Sequence, residues 1–492
     1  MTEERKGLFL SAAMEAEPDR GAPAPERGIL RQSWFLHKTA GWVKERSLAA
    51  GRPLTACSVC FGCQMNARDS EKIAGVLKMA GFELTEEENA DFVIYNTCTV
   101  RDNADSRVYG RLGRVSHFRR ANPDMRVALC GCMMQEKSAV EKVRKSYGFV
   151  DLIFGTHNLD RFPEYLYRTV TGTEKITEIE EEDGEGAESL PIARKYPWKS
   201  GVNIMFGCDN FCTYCIVPYV RGRERSRMPE EILDEIRRLR DDGVREIMLL
   251  GQNVDSYGKK TETGASFAEL LSRAADIDGI ERVRFMTSHP KDLSPEVIRV
   301  VAGNEKIARH IHLPLQSGSN RILKMMNRRY TREHYLELVQ AIREGIPGVA
   351  ITTDIMTGFP SETPEDIDDT IDVVRKAAFE NAFTFIYSMR AGTPASRMEQ
   401  LPEEEKKAGF TRVLSVVQEV AKEQTLRSVG LDGTALIEEL NGQIPGYVTG
   451  RLSNNTLVHI PGTEEMIGRF VRVHLDECRG FYYFGTAVGE PY

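Results

Sequence analysis

The sequence lacks any run of about 18 apolar residues, which is the length that a membrane-crossing helix needs, and so it predicts no transmembrane helix. Residues 1–28 lack the apolar core of a signal peptide and are typical of a polar, flexible extension. Positive charge is scarce, because 65 Lys and Arg face 73 Asp and Glu, and the net charge of −8 does not by itself indicate nucleic-acid binding. We therefore expect a cytoplasmic protein with no membrane partner, whose thiols stay reduced.

The apolar pattern divides the 492 residues into five segments. We predict a flexible extension over 1–51, an α/β domain over 52–170, an acidic linker over 171–193, a second α/β domain over 194–427 and a small all-β barrel over 428–492. The first α/β domain alternates short apolar runs with helical periodicity, which predicts a parallel sheet. In the second, six strand–helix units predict a partial (β/α)6 TIM-like barrel, with its site at the carboxyl ends of the strands.

Nine of the ten cysteines lie in the first half of the chain, in two groups, and such grouping favours metal ligation in a reducing compartment. In the second group, Cys208, Cys212 and Cys215 have C-x3-C-x2-C spacing in the loop after the first barrel strand. Three thiolates hold a four-iron cluster and leave one iron open, whereas a structural zinc site needs four ligands. The possible fourth ligands are histidines of other predicted strands: His289, His310 and His312. The spacing therefore favours an iron–sulfur cluster over zinc.

In the first group, Cys63, Cys98 and Cys132 each fall just past the end of a predicted strand. The carboxyl ends of parallel strands meet at one edge, so these three distant thiols can converge on one site. A rival set exists, because Cys57, Cys60 and Cys63 have the C-x2-C-x2-C spacing of a ferredoxin-like loop.

One observation weighs against that rival set. Cys57 and Cys60 fall within a predicted strand, and we interpret both as small buried hydrophobic residues. Between Cys130 and Cys132, the position at the strand end favours Cys132. Cys478 stands alone in the predicted β-barrel and is interpreted as structural.

The residues around the second group, FGCDNFCTYCIVPYVRGRERSR, resemble the methylthiotransferase branch of the radical S-adenosylmethionine (SAM) superfamily. Further matches follow in family order over about residues 54 to 490. They are GCQMN from Gly62, DS from Asp69, NTC from Asn96, CGCMMQ from Cys130, LLGQNV from Leu249, TSHP from Thr287, HLPLQSGS from His312 and GTPA from Gly392. The C-terminal segment is similar to a TRAM domain, a small RNA-binding β-barrel.

This resemblance implies two [4Fe-4S] clusters, one on Cys208, Cys212 and Cys215 and an auxiliary one on Cys63, Cys98 and Cys132. It implies that SAM binds the open iron of the first cluster. The further SAM contacts that it implies are residues at two strand ends: Gly251, Gln252 and Asn253 near the methionine part, and Asp354, Gly358 and Glu362 near the adenine.

The resemblance also implies a transferase that replaces an aromatic hydrogen with a methylthio group. The motifs are most similar to the bacterial branch that acts at C2 of N6-isopentenyladenosine 37, next to the tRNA anticodon. Relatives that act on a ribosomal-protein aspartate or on threonylcarbamoyladenosine in tRNA are the alternatives, and a non-catalytic iron–sulfur RNA-binding protein is the alternative of a different class. The expected partners are the anticodon stem–loop and an electron donor such as flavodoxin or ferredoxin, with the enzyme itself a monomer.

Two clusters of arginine are the candidate phosphate contacts. The first has a charge of +4 and contains Arg101, Arg107, Arg111, Arg114, Arg119, Arg120 and Arg126. The second has a charge of +3 and contains Arg221, Arg223, Arg225 and Arg227. Either cluster alone is more typical of a solvated helix face. Residues 428–492, by contrast, carry a charge of −4. They could bind RNA through one local arginine face and aromatic stacking, with Tyr482, Tyr483 and Phe484 as candidates, but we expect most phosphate contacts to come from the two arginine clusters.

Overall fold

A computed structural model describes Met14 and residues 21–99, 102–181, 187–260 and 263–492. The chain divides into two compact units, which are Met1–Pro197 with Ile216–Arg223, and Trp198–Cys215 with Glu224–Tyr492. The segment Ile216–Arg223 folds with the first unit, although in the sequence it directly follows the second group of cysteines.

The first unit is an α/β domain around a six-stranded sheet. Its strands are β1 (Thr55–Cys60), β2 (Glu83–Leu84), β3 (Phe92–Thr97), β4 (Arg126–Gly131), β5 (Leu152–Phe154) and β6 (Ile176–Glu178). Its helices are α1 (Gly28–Ala50), α2 (Gln64–Met79), α3 (Asp102–Ala121), α4 (Lys137–Ser146), α5 (Phe162–Thr171) and α6 (Val217–Val220). The strand order is β2-β1-β3-β4-β5-β6, and every pairing is parallel, which confirms the predicted sheet.

Burial on both faces explains why the sequence of strand β3 does not alternate between apolar and polar residues. Every residue of β3, with the sequence FVIYNT, is buried, because helices cover both faces of the sheet. On one face Ile73 and Val76 of α2 pack against the strands, and on the other Val108 and Leu112 of α3 do so. The strands are thereby held firmly up to their carboxyl ends, where the cysteines follow.

Two segments predicted to be flexible contain regular structure. Residues 28–50 form α1, whose buried Leu36 and Val43 join the core beneath it, so the predicted extension is wrong from Gly28 onward. Its polar composition concealed these few apolar residues, and Arg31 also pairs with Glu164 of α5. Within the predicted linker, β6 adds an edge strand to the sheet, and residues 182–186 of that linker lie outside the described residues.

The second unit begins with eight strands and seven helices within the described residues. The strands are β7 (Lys199–Asn203), β8 (Met205–Phe206), β9 (Arg225–Ser226), β10 (Glu246–Leu250), β11 (Arg282–Phe285), β12 (His310–His312), β13 (Ala350–Thr357) and β14 (Asn381–Ile386). The helices are α7 (Pro229–Asp241), α8 (Phe267–Ala275), α9 (Pro295–Gly303), α10 (Asn320–Met325), α11 (Arg332–Gly345), α12 (Pro364–Ala377) and α13 (Glu403–Leu426).

Six of these strands make the predicted partial barrel. They pair in parallel as β7-β10-β11 and β12-β13-β14, and an isolated parallel bridge pairs Val283 of β11 with Ile307, just before β12. The sequence predicts a strand over Ile311–Leu315, whereas β12 ends at His312 because the chain then turns into a loop. Within the described ranges, no helix combines the length and the apolar character needed to cross a membrane.

The C-terminal part of this unit is a closed five-stranded barrel, as predicted. Its strands are β15 (Asp432–Leu440), β16 (Tyr447–Leu452), β17 (Leu457–Pro461), β18 (Phe470–Arg479) and β19 (Tyr482–Ala487), in the order β15-β16-β17-β19-β18. Two buried arginines of β11 attach it to the larger barrel. Arg282 donates to Thr434 O at 2.8 Å, and Arg284 donates to Leu452 O at 2.8 Å.

Candidate functional site

The three predicted auxiliary cysteines lie at one edge of the first unit's sheet. Cys60, Asn96 and Cys130 are register partners in β1, β3 and β4, so the chain leaves all three strands at the same level. Cys63 then caps the start of α2, Cys98 follows β3, and Cys132 begins a short 3-10 helix (Cys132–Gln135).

Asn66 shows that two of these thiols converge. Its Oδ1 lies 3.3 Å from Cys63 Sγ and 3.9 Å from Cys132 Sγ. The Asn66 side chain is fixed, because its Nδ2 donates to Thr97 O at 2.9 Å. Cys98 is in the same neighbourhood: burial raises the pKa of Cys132 to about 12, and the Cys63 and Cys98 thiols add to that rise, whereas Arg221 opposes it.

Arg221 is a member of this site that the sequence did not reveal. It is 8% exposed, and its Nε donates to Cys132 Sγ at 3.1 Å. Its Nη2 donates to Asp69 Oδ2 at 2.9 Å and to Asn66 Oδ1 at 3.2 Å. We predicted Arg221 to be part of a basic surface cluster, but a count of charges does not distinguish a buried arginine from a solvated one.

The donor set of this edge fits an iron–sulfur cluster. Cys98 and Cys132 are buried and Cys63 is exposed, and all three sulfurs belong to one strand-end edge. Each thiolate of a four-iron cluster binds a different iron, so the three sulfurs need to surround the cluster and need not share one metal ion. The backbone approaches closely here, since a Cβ on Gly131 would lie 2.4 Å from Thr97 O.

The rival cysteines differ from one another. Cys57 is fully buried in the core with Val93 and Tyr95, as predicted for a small hydrophobic residue. Cys60 is exposed, so the same interpretation is wrong for it, because it is the last residue of β1 and leaves the covered part of the sheet. Cys130 is buried. Cys478 packs partly buried against the core of the small barrel.

In the second unit, the loop with Cys208, Cys212 and Cys215 follows β8 and is anchored by its backbone. Thr213 N donates to Met326 O at 3.1 Å, and Cys215 N donates to Cys212 O at 2.9 Å. Burial raises the pKa of Cys208 to about 11 despite a backbone hydrogen bond that lowers it, and the Cys212 thiol adds to the rise. Three thiols on one short, anchored loop are a fitting donor set for a cluster with an open iron.

The first set of predicted SAM contacts follows β10. Gly251 leaves no room for a side chain, since a Cβ there would lie 2.6 Å from Met205 Cγ. Asn253 is buried, and its Nδ2 donates to Asp292 Oδ2 at 2.7 Å. Its buried Oδ1 has no hydrogen-bond partner among the described residues, so it can accept a bond from a ligand such as an ammonium group. Gln252 is partly exposed at the same strand end.

The second set of predicted SAM contacts belongs to β13 and the turn after it. His312 Nε2 lies 3.4 Å from Asp354 Oδ2. Gly358 has a φ of 73°, and its N–H donates to Glu362 Oε2 at 2.5 Å, which closes the turn. Burial raises the pKa of Glu362 to about 7, and its Oε1 has no partner among the described residues. Glu362 thus has a structural partner and a spare acceptor, which fits a role toward a ligand hydroxyl or amino group.

Many of the arginines proposed for phosphate binding make internal contacts. On α3, Arg111 Nη1 donates to Glu88 Oε1 at 2.6 Å, and Arg119 Nη2 lies 3.5 Å from Asp151 Oδ1. Arg107 is exposed, Arg114 is exposed with its Nε 4.0 Å from Glu88 Oε2, and Arg101 lies outside the described residues. In the second unit, Arg227 Nη1 donates to Glu235 Oε2 at 2.8 Å, which leaves it less available to a phosphate.

The three aromatic residues of the small barrel that were predicted to stack on RNA bases differ in their exposure. Tyr483 is 1% exposed and its hydroxyl donates to Thr425 O, so it cannot stack on a base, and that prediction is wrong. Because side chains alternate along β19, Tyr482 and Phe484 lie on the face opposite to Tyr483, where they pack around His459. Arg479 lies over the Phe484 ring at 4.7 Å and pairs with Glu477 at 2.9 Å, so this face combines aromatic surface with an ion pair.

Comparison with family models places the chain in a known class. Residues 202–374 match the Radical SAM superfamily, residues 55–155 match Uncharacterized protein family UPF0004, and residues 427–488 match the TRAM domain. A solved radical S-adenosylmethionine methyltransferase, TsrM from Kitasatospora setae, has a similar fold with a TM-score of 0.50 and 16% identity, over 70% of this chain and 74% of that one. The fold and the cysteine loop therefore define a radical SAM protein.

Curated relatives narrow the family. The tRNA-2-methylthio-N(6)-dimethylallyladenosine synthase of Lachnoclostridium phytofermentans is 54% identical over 449 residues, which are 91% of this chain and 98% of the relative. That of Acetivibrio thermocellus is 45% identical over 489 residues, 99% of each chain. This chain belongs to the tRNA-2-methylthio-N(6)-dimethylallyladenosine synthase family.

Proposed function

We propose that this protein is a tRNA methylthiotransferase that adds a methylthio group to C2 of N6-isopentenyladenosine at position 37. The observation that carries the proposal is the presence of two separate three-cysteine sets, one at the carboxyl edge of a parallel sheet and one on the loop after β8, in a chain up to 54% identical to synthases of that name. One set alone would suit many radical SAM reactions, whereas the second supplies a separate place for the sulfur that is transferred.

Each set has its own part in this proposal. Cys208, Cys212 and Cys215 would hold a [4Fe-4S] cluster with SAM on its open iron, and Cys63, Cys98 and Cys132 would hold the auxiliary [4Fe-4S] cluster. When bound, the clusters and SAM supply the radical that abstracts hydrogen and the methylated sulfur that replaces it.

The protein's own residues bind and orient these groups. Gly251 lets the chain pass close to the ligand, and Gln252 and Asn253 offer polar groups to the methionine part of SAM. Gly358 keeps the turn after β13 tight, and Glu362 with Asp354 offers acceptors to the rest of SAM. Burial of Asn253 and Glu362 keeps water away from these acceptors, so that a ligand meets little competition for them.

Recognition of tRNA is assigned to two surfaces. The exposed arginines of α3 offer phosphate contacts, and the aromatic face of Tyr482 and Phe484 offers stacking. An electron donor such as flavodoxin or ferredoxin is required because SAM cleavage consumes an electron. We place the reaction in the cytoplasm, on the anticodon stem–loop, with the enzyme as a monomer.

Mass spectrometry of tRNA nucleosides tests this function. In a strain without the gene, the methylthiolated isopentenyladenosine should disappear and isopentenyladenosine should accumulate. Complementation with the wild-type gene should restore the product, and complementation with Cys98→Ala should not. Unchanged isopentenyladenosine with loss of methylthiolated threonylcarbamoyladenosine, or of a methylthiolated ribosomal-protein aspartate, would refute the assignment in favour of that substrate.

A further inference from the structure

The hydrogen bonds of Arg221 are distributed unusually for a buried arginine beside a carboxylate. Only Nη2 reaches Asp69, at 2.9 Å, and the same nitrogen also donates to Asn66 Oδ1 at 3.2 Å. The Nε–H instead donates to Cys132 Sγ at 3.1 Å. The guanidinium therefore spans a carboxylate, an amide and a cysteine sulfur.

Another Arg–Asp pair has a different geometry. Arg52 and Asp91, in the same unit, form the bidentate arrangement, with Nη1 and Nη2 donating to separate carboxylate oxygens at 2.7 and 2.8 Å. Such a fork uses the fixed geometry of guanidinium fully. Arg221 has a carboxylate within reach but directs one of its N–H groups to sulfur. A neutral thiol is a weak acceptor, so this geometry suits a sulfur that carries negative charge.

We propose that Arg221 is a positioning residue that donates a hydrogen bond to the Cys132 sulfur of the auxiliary cluster and thereby raises the reduction potential of that cluster. Asn66 and Asp69 hold the guanidinium in place for this bond. The inference rests on the proposed function, since it takes Cys63, Cys98 and Cys132 as the ligands of that cluster.

The direction of the effect follows from charge. Reduction adds one negative charge to the cluster and its thiolates, and a buried cation that donates to a ligand sulfur stabilises the reduced form more than the oxidised form. Asp69 weakens this effect but also fixes the orientation of Arg221. Lysine would keep the charge but not the planar fork that reaches three acceptors at once.

The test uses the full chain with Cys208, Cys212 and Cys215 all changed to Ala, so that only the auxiliary cluster is present. After anaerobic reconstitution, iron per chain and the midpoint of an EPR-monitored redox titration are measured. We expect Arg221→Gln to make the midpoint more negative, by about tenfold in the reduced-to-oxidised ratio, or about 59 mV for a one-electron couple. Arg221→Lys should give an intermediate midpoint.

The control is Arg52→Gln, which breaks an Arg–Asp pair at the amino ends of β1 and β3 and should leave the midpoint unchanged. Absence of iron in the background protein would refute the ligand assignment itself, and with it the proposed site. About four irons at an unshifted midpoint in Arg221→Gln would overturn only the inference about Arg221. If Arg221→Gln holds no iron, a shifted midpoint in Arg221→Lys supports the inference and an unshifted one overturns it.

Discussion

Arg328 donates from Nη1 to Cys212 Sγ at 3.5 Å, so a buried guanidinium contacts the middle cysteine of the C-x3-C-x2-C loop. Its Nη2 donates to Pro314 O at 3.0 Å, and its Nε donates to Tyr330 Oη at 3.0 Å. Because Pro314 follows β12, this side chain connects the cysteine loop to the carboxyl end of a barrel strand.

Arg328→Gln should therefore loosen the loop around its iron. We expect iron bound by Cys208, Cys212 and Cys215 to be released to a chelator several-fold faster, because the loop loses a charge-assisted bond to a ligand sulfur. The measurement is the anaerobic rate of iron release in a Cys98→Ala background. Arg321→Gln, which breaks the ion pair between the exposed Arg321 and the buried Asp366, is the control. Equal rates for the two variants would contradict the role of Arg328.

Iron content distinguishes one cluster from two. Anaerobically reconstituted protein should bind about eight irons, and about four after Cys208, Cys212 and Cys215 are changed together to Ala. Chemical iron analysis with Mössbauer spectroscopy measures both numbers. Full iron in the triple variant would show that these cysteines are not ligands.

The rival cysteine sets make opposite predictions. Cys57→Ala and Cys60→Ala should keep the auxiliary cluster, whereas Cys98→Ala and Cys132→Ala should lose it. Cys60 is the sharper test of the two, because it is exposed at the strand end close to Cys63 in sequence. Iron and EPR measurements in the triple-Ala background decide between the sets. Retention of the cluster in Cys98→Ala would favour the local C-x2-C-x2-C loop.

The charge distribution predicts which surface contributes most to tRNA affinity. Reversing the exposed Arg107 and Arg114 to Glu should weaken tRNA binding and flatten its salt dependence, by about 0.7 to 0.9 in slope per lost phosphate contact. Reversing Arg469 and Arg472 in the small barrel should do less, since Arg472 already pairs with Asp432. The measurement is tRNA affinity across a salt series. A larger loss in the barrel variant would make the small domain the main anchor.

The raised pKa of Glu362 predicts that the free energy of unfolding depends on pH. Burial raises its pKa from 4.5 to about 7, so the folded state holds its proton more tightly than the unfolded state does. The resulting stabilisation is complete below about pH 4.5 and is lost as the pH rises through about 7.

Between pH 5 and 8, Glu362→Gln should reduce the loss in the free energy of unfolding by about 1 to 3 kcal/mol. Denaturant unfolding at several pH values measures it, with the exposed Glu365→Gln as control. Part of the decline in the free energy of unfolding should remain in this variant, because burial also raises the pKa of Asp255 to about 7. An unchanged pH profile in Glu362→Gln would show that Glu362 does not titrate in this range.

The sequence alone was sufficient where local pattern decides structure. It predicted β10 over Glu246–Leu250, the parallel sheet and the closed C-terminal barrel, because strand length, periodicity and turn residues are properties of neighbouring positions. It also led to the cysteine sets and to the family, because both depend on residue type and spacing in chain order.

Only the tertiary structure decided which side chains face inward and which distant groups meet. Tyr482 and Tyr483 are adjacent and chemically alike, yet the pleat buries Tyr483 and leaves Tyr482 partly exposed. Helix α1 is held by contacts more than a hundred residues away in sequence, such as that of Arg31 with Glu164. Arg221 reaches Cys132 and Asp69 because the segment Ile216–Arg223 folds as part of the first unit. Its contacts with a thiol and a carboxylate could not be predicted by counting charges along the chain.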